Sequence, residues 1–206
     1  LRGKVAVLFS GAPNRFEPDR RAFHAATREK LRALAERGAV AAVFVDTPAD
    51  AAQLPWPRRV AAFERPEMRL RGSDGRGLDT FPQLRAIARV SATAADLLFD
   101  GSGHTAAELA RAAQDDTLRG FALPGTLVLA QHTRVAPLDS RNVLARLPGR
   151  EPALAAQALA FTAHLDHLGT GAPVAGDAIY NGALDNALGT AIVLETARAL
   201  RAAPPR

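Results

Sequence analysis

The chain has 206 residues, 48% of them apolar and 5% aromatic, enough for one large domain or two small ones built around an aliphatic core. The formal charge is +5, but only Lys4 and Lys30 are lysines, and the arginines are spread along the chain among acids with no aromatic-studded basic run. That pattern reads as a solvated surface and speaks against nucleic acid as a partner. There is no cysteine, which excludes disulfides and thiolate zinc sites, and no apolar run reaches the length of a membrane span.

Lys4 to Phe9 is a short apolar run followed by Ser-Gly-Ala-Pro-Asn, the pattern of a buried strand and a turn. Asp19 to Arg37 has helical periodicity, with Phe23, Ala26, Leu31, Leu34 and Ala35 as its apolar stripe and Gly38 as C-terminal cap. Ala39 to Val45 is a second buried strand, so a parallel strand-helix-strand unit is expected. Thr47 to Asp79, rich in proline and glycine, reads as loops, and Ala86 to Val90 as a third strand. Ser91 opens a helix over Ala92 to Phe99, and Thr105 with Glu108 forms a capping box for a helix over Ala106 to Ala113. Strands are expected at Thr126–Ala130, Thr133–Ala136 and Asn142–Leu147, and a largely apolar strand at Ala155–Ala163. A helix over Asn186 to Arg201 follows, with apolar residues on more than one face. The expected domain boundary lies near Pro137 to Arg141, and the fold class is α/β.

The chemistry concentrates in the last quarter. His164 and Asp166, two apart at the end of an apolar strand, share a face, and ligands bind at such strand ends in open α/β sheets. Asp166 is placed to take the second ring proton of His164. Asp185 stands where the chain turns into a helix, where a carboxylate can offer one oxygen to each of two metals. On spacing alone, a His-x-Asp pair serves an ordinary hydrogen bond more often than a metal. Other candidates are weaker. Gly101-Ser-Gly-His-Thr105 lacks the Gly-Lys-Ser/Thr ending of a phosphate loop and reads as a helix cap. Ser10 and Ser102 sit in no nucleophile elbow. His24, His104 and His132 read as surface residues, and His167 as structural.

His164-Leu-Asp-His-Leu-Gly169, Gly176-Asp-Ala-Ile-Tyr-Asn-Gly-Ala183 and Asp185-Asn-Ala-Leu-Gly-Thr-Ala191 together resemble the co-catalytic di-zinc aminopeptidases of metallopeptidase family 28. The resemblance implies two Zn2+ ions per complete site, with His164 a ligand of one, Asp185 the bridge between both, and Asp166 the catalytic residue that orients His164. It implies a cis peptide at Asp185–Asn186 and a peptide or protein substrate. Leu184 and Leu188 depart from the family pattern, which often has Asp and Ser there. More loosely, Gly3–Phe9, Gly38–Val45 and Ala94–Leu98 resemble a protease-associated domain. The expected organisation is therefore an N-terminally incomplete protease-associated α+β domain over residues 1–138. The first part of a zinc-exopeptidase α/β sheet domain would occupy residues 139–206.

In that family the general-base Glu and the remaining ligands follow the matched stretch. The expectation is a complete enzyme of which these 206 residues hold only half the metal site, binding zinc weakly and hydrolysing no peptide alone. The alternatives are a glutamate-releasing carboxypeptidase and a non-catalytic, transferrin-receptor-like binding protein. A Glu-Glu pair shortly after Arg206 would favour an enzyme. Family habit also implies an exported protein.

Overall fold

A computed structural model describes residues 1–63, 66–149 and 151–202. The first apolar run forms β1 (Val5–Phe9), and the fully buried run after Gly38 forms β2 (Ala41–Val45). β3 (Ala86–Val90) completes a parallel sheet in the order β1-β2-β3, with Val7 opposite Val43 and Val43 opposite Ala88. Alternate residues of a strand face opposite sides, and this sheet buries both. Ala6, Ala42 and Phe44 pack with Leu31, Ala35 and Leu84 on one face. Val45 packs with Ala95, Phe99 and Leu109 on the other, supported by Val7 and Phe9.

The helix expected over Asp19–Arg37 is two helices, α1 (Pro18–Ala25) and α2 (Thr27–Glu36). Ala26 leaves the helical region at ψ 127°, so the stripe is broken: Leu31 and Ala35 reach the core, whereas Phe23 is 54% exposed. Gly38, at φ +77°, ends α2 in a Schellman arrangement. Its N–H donates to Ala35 O at 3.0 Å, and that of Ala39 to Leu34 O at 3.0 Å.

The expectation of loops from Thr47 onward fails over two short helices, α3 (Pro48–Gln53) and α4 (Trp56–Phe63). Thr47 and Asp50 make a capping box, and prolines fall in the first turn of each helix, where no intrahelical N–H bond is lost. The helix expected over Ala92–Phe99 shrinks to α5 (Asp96–Phe99). α6 (Ala106–Gln114) starts at the expected capping box, with Glu108 N–H donating to Thr105 Oγ1 at 3.2 Å.

At the end of β2, the carboxylate of Asp46 is buried between two arginines. Arg89 Nη1 donates to Asp46 Oδ1 at 2.6 Å, and Arg59 Nε lies 2.9 Å from Oδ2. The Arg59 contact is close enough for an ion pair but is not aligned as a hydrogen bond, so its Nε has no hydrogen-bond partner among the described residues.

The chain divides into two compact units, Leu1–Val135 and Ala136–Arg206. The strands expected at 126–130, 133–136, 142–147 and 155–163 do not form. A strand exists only where a neighbour supplies its ladder, and these segments have none among the described residues. Their apolar side chains stay in solvent, Val143 94% and Leu159 90% exposed. What the second unit does form is an antiparallel hairpin, β4 (Gly169–Val174) and β5 (Asp177–Tyr180), and a 15-residue helix, α7 (Leu188–Ala202). The hairpin turns through Ala175 and Gly176, both at positive φ (51° and 86°), as a two-residue turn matching strand twist requires.

Candidate metal centre

Three pieces of the second unit meet around His164. The first is the irregular segment before β4, which carries His164, Asp166 and His167. The second is the wide turn of residues 183–187, which carries Asp185 and closes with Ala187 N–H donating to Gly182 O at 3.1 Å. The third is the start of α7.

The turn is unusual in its backbone. Gly182 sits at φ +66°, and Asp185 and Asn186 are non-helical, with a cis peptide between them. A Cβ on Gly182 would lie 2.7 Å from Asp185 O and 2.7 Å from the His167 ring, so glycine is required by both conformation and space. Asn186 then caps α7, its Oδ1 accepting from Gly189 N–H at 3.1 Å. A Cβ on Gly189 would collide with that same Asn186 amide, which explains glycine in the first turn.

This backbone brings His164 and Asp185 together: Nε2 lies 3.0 Å from Asp185 Oδ1. The other ring nitrogen, Nδ1, is 2.9 Å from the main-chain carbonyl of Asp166. A carbonyl only accepts, so Nδ1 carries the proton. In the neutral ring the lone pair therefore belongs to Nε2, the nitrogen aimed at Asp185. The carboxylate of Asp166 contributes less than its main chain. Its Oδ1 stands 3.6 Å from Nδ1, and the side chain is 92% exposed. Orientation of His164 thus rests on the Asp166 carbonyl, a contact that side-chain spacing does not reveal.

The pKa of His164 is raised. The Asp166 carbonyl contributes most, partial desolvation opposes it, and the negative charges of Asp185 and Asp166 add to it.

Asp185 Oδ2, on the far side of the carboxylate, lies 4.0 Å from His167 Nδ1, too long for a hydrogen bond. His167 is otherwise packed against Gly182. Thr190, in the first turn of α7, directs its hydroxyl toward His164 O at 3.3 Å and Asn186 O at 3.2 Å. Sequence reasoning did not single out Thr190, Gly182 or the Asn186 cap. The cap had a local signal in an Asn two positions before a helical run; Thr190 had none.

Donor chemistry and spacing can be weighed against a metal. Zinc bonds of about 2.0–2.1 Å in a tetrahedron place neighbouring donor atoms about 3.3 Å apart. The His164–Asp185 separation of 3.0 Å is close to that, so the two side chains fit as adjacent ligands. Among the described residues no group of three or more His, Cys, Asp or Glu comes together to hold a metal ion.

No helix among the described residues is long and apolar enough to cross a membrane. Neither the curated proteins nor the solved structures contain a match to this chain. Residues 142–206 match the sequence model of Peptidase family M28, and His164, Asp166 and Asp185 all lie inside the matched range. The match covers residues 142–206 and supports, for that part of the chain, a relation to peptidase family M28 and with it the chemistry of a metallopeptidase.

Proposed function

We propose that this chain contributes half of a two-zinc exopeptidase centre, of the aminopeptidase type. The observation that carries the reading is the 3.0 Å approach of His164 Nε2 to Asp185 Oδ1, with the ring tautomer set by the Asp166 carbonyl. His164 would hold one zinc through Nε2. Asp185 would be the carboxylate shared between the two ions, and its Oδ2 makes no hydrogen bond among the described residues. When bound, such a pair of ions supplies an activated water and polarises the scissile carbonyl.

The chain's own residues do the positioning. The Asp166 carbonyl keeps the Nδ1 proton and so keeps Nε2 free. Gly182 and the non-helical Asp185 and Asn186 turn the carboxylate toward the ring. A catalytic zinc takes three protein ligands, and the described residues bring two donors together, so a complete centre needs donors from outside them. With these two donors alone, zinc would be held weakly and no peptide would be turned over. Residues 1–138, as a protease-associated domain, would shape access to the site. An exported location, where zinc loads outside the cytoplasm, belongs to the same proposal.

The test has two arms. Zinc titrated into the full chain should bind weakly, and binding should be lost in both His164→Ala and Asp185→Ala. Zinc-loaded protein with a complete ligand set should release N-terminal residues from peptides. Release of C-terminal glutamate instead would replace aminopeptidase with carboxypeptidase, and zinc binding indifferent to both substitutions would overturn the metal reading.

A further inference from the structure

We propose that Thr190 is a positioning residue for the His164–Asp185 pair, a role that rests on the zinc reading above and extends it to a residue that is not a ligand. His164 lies in a stretch, residues 158–168, without regular structure. Among the described residues, the main chain of that stretch makes one hydrogen bond to another part of the unit: His164 O accepts from the Thr190 hydroxyl at 3.3 Å. The same hydroxyl lies 3.2 Å from the carbonyl of Asn186, the residue joined to Asp185 by the cis peptide. One proton is thus shared between two carbonyls, as in three-centre bonds near helix termini. One carbonyl belongs to the histidine itself, the other to the neighbour of the aspartate.

The consequence is geometric. His164 and Asp185 flank the β4–β5 hairpin in sequence, one before it and one after it, and their side chains are half-exposed or more, 52% and 71%. Exposed side chains on an unladdered segment have no packing to hold them in register. The Thr190 hydroxyl supplies that register from α7, whose own start is fixed by the Asn186 cap. A threonine in a helix commonly bonds only the carbonyl four residues back, which affects the helix alone. The second contact, to His164, makes this one a brace between two metal-ligand segments.

Thr190→Val keeps the shape and removes the hydroxyl; Thr190→Ser keeps the hydroxyl. Residues that orient metal ligands typically change affinity by 10–100-fold, so zinc titrated into the full-length chain should bind about tenfold more weakly in the Val variant and about as in the native chain in the Ser variant. Helicity by circular dichroism should match in all three. In the metal-free proteins, the nuclear Overhauser contact between the His164 ring and the Asp185 methylene should be present in the native chain and the Ser variant and absent in the Val variant. Native-like affinity in the Val variant, or equal loss in both variants, overturns the brace. If zinc binds equally well to His164→Ala, the zinc reading fails, and the Overhauser contact alone decides Thr190: retained in the Val variant, it overturns the proposal; lost there and kept in the Ser variant, it supports it.

Discussion

His164 Nε2 lies 3.0 Å from Asp185 Oδ1, and the hairpin β4–β5 separates the two residues in sequence. The hairpin's register, Gly169 opposite Tyr180, returns the chain beside its starting point. The turn at Gly182 then swings Asp185 onto the ring. The approach of His164 to Asp185 is a product of backbone turns rather than of a packed core.

The first prediction concerns pH. The His164 pKa is raised above its ordinary 6.5, chiefly by the Asp166 carbonyl. The protonated ring is therefore favoured in the folded state. Its contribution to stability is fully present below the ordinary value and is lost as pH rises through the folded value. Zinc must displace this proton, so zinc affinity should rise about tenfold per pH unit below the folded pKa and level off above it. Titration of the full chain by calorimetry and proton resonance should place both transitions above pH 6.5; a plateau beginning below that value would contradict the assignment.

Gly182→Ala should damage the site from a distance. The new methyl meets Asp185 O and the His167 ring, and a left-handed conformation costs a non-glycine residue roughly 1–2 kcal/mol. Amide exchange over residues 183–190 should accelerate and zinc binding should fall. Protection in β1, β2 and β3 should be unchanged, since they belong to the other compact unit.

Asp46 governs stability of the first unit. Its carboxylate is 2% exposed and bridges Arg89 and Arg59, themselves 14% and 17% exposed. Asp46→Ala leaves two mostly buried guanidinium groups without a counter-charge, at a cost of about 3–5 kcal/mol. Urea denaturation followed by the Trp56 fluorescence should show this; a loss under about 1 kcal/mol would mean that water reaches both arginines.

Thr105→Ala removes the cap of α6 and should cost about 1 kcal/mol in the same denaturation experiment. Thr105→Asp keeps a side-chain acceptor and should restore most of it.

The parts of the fold legible in the sequence are those with local signals. β1, β2 and β3 are short apolar runs bounded by breakers, Gly38 ends a helix in the one conformation glycine favours, and Thr105 with Glu108 marks a helix start. α3 and α4 were hidden because Pro48, Pro55 and Pro57 read as loop residues, although proline is also favoured in a helix's first turn. The four expected strands from Thr126 to Ala163 fail for another reason. Apolar, β-branched sequence describes a willingness to pair, and the ladder partner is not encoded in the segment itself. β4 and β5 were missed because Ala175-Gly176 is a less usual turn pair than Asn-Gly.

At the site, the pairing of His164 with Asp185 follows from the motif that carries them. The tautomer-setting role of the Asp166 carbonyl does not, because main-chain acceptors leave no mark on residue type. Thr190 was equally silent: a threonine one turn into a helix is ordinary until its hydroxyl is seen between two carbonyls.

The most direct test of the central claim is zinc-edge X-ray absorption on the zinc-loaded full chain, native and His164→Ala. The account predicts imidazole scattering with light-atom bonds of about 2.0–2.1 Å in the native chain, and loss of the imidazole signature in the variant. An identical imidazole signature in both proteins would show that zinc binds elsewhere, and the His164–Asp185 pair would not be a metal centre.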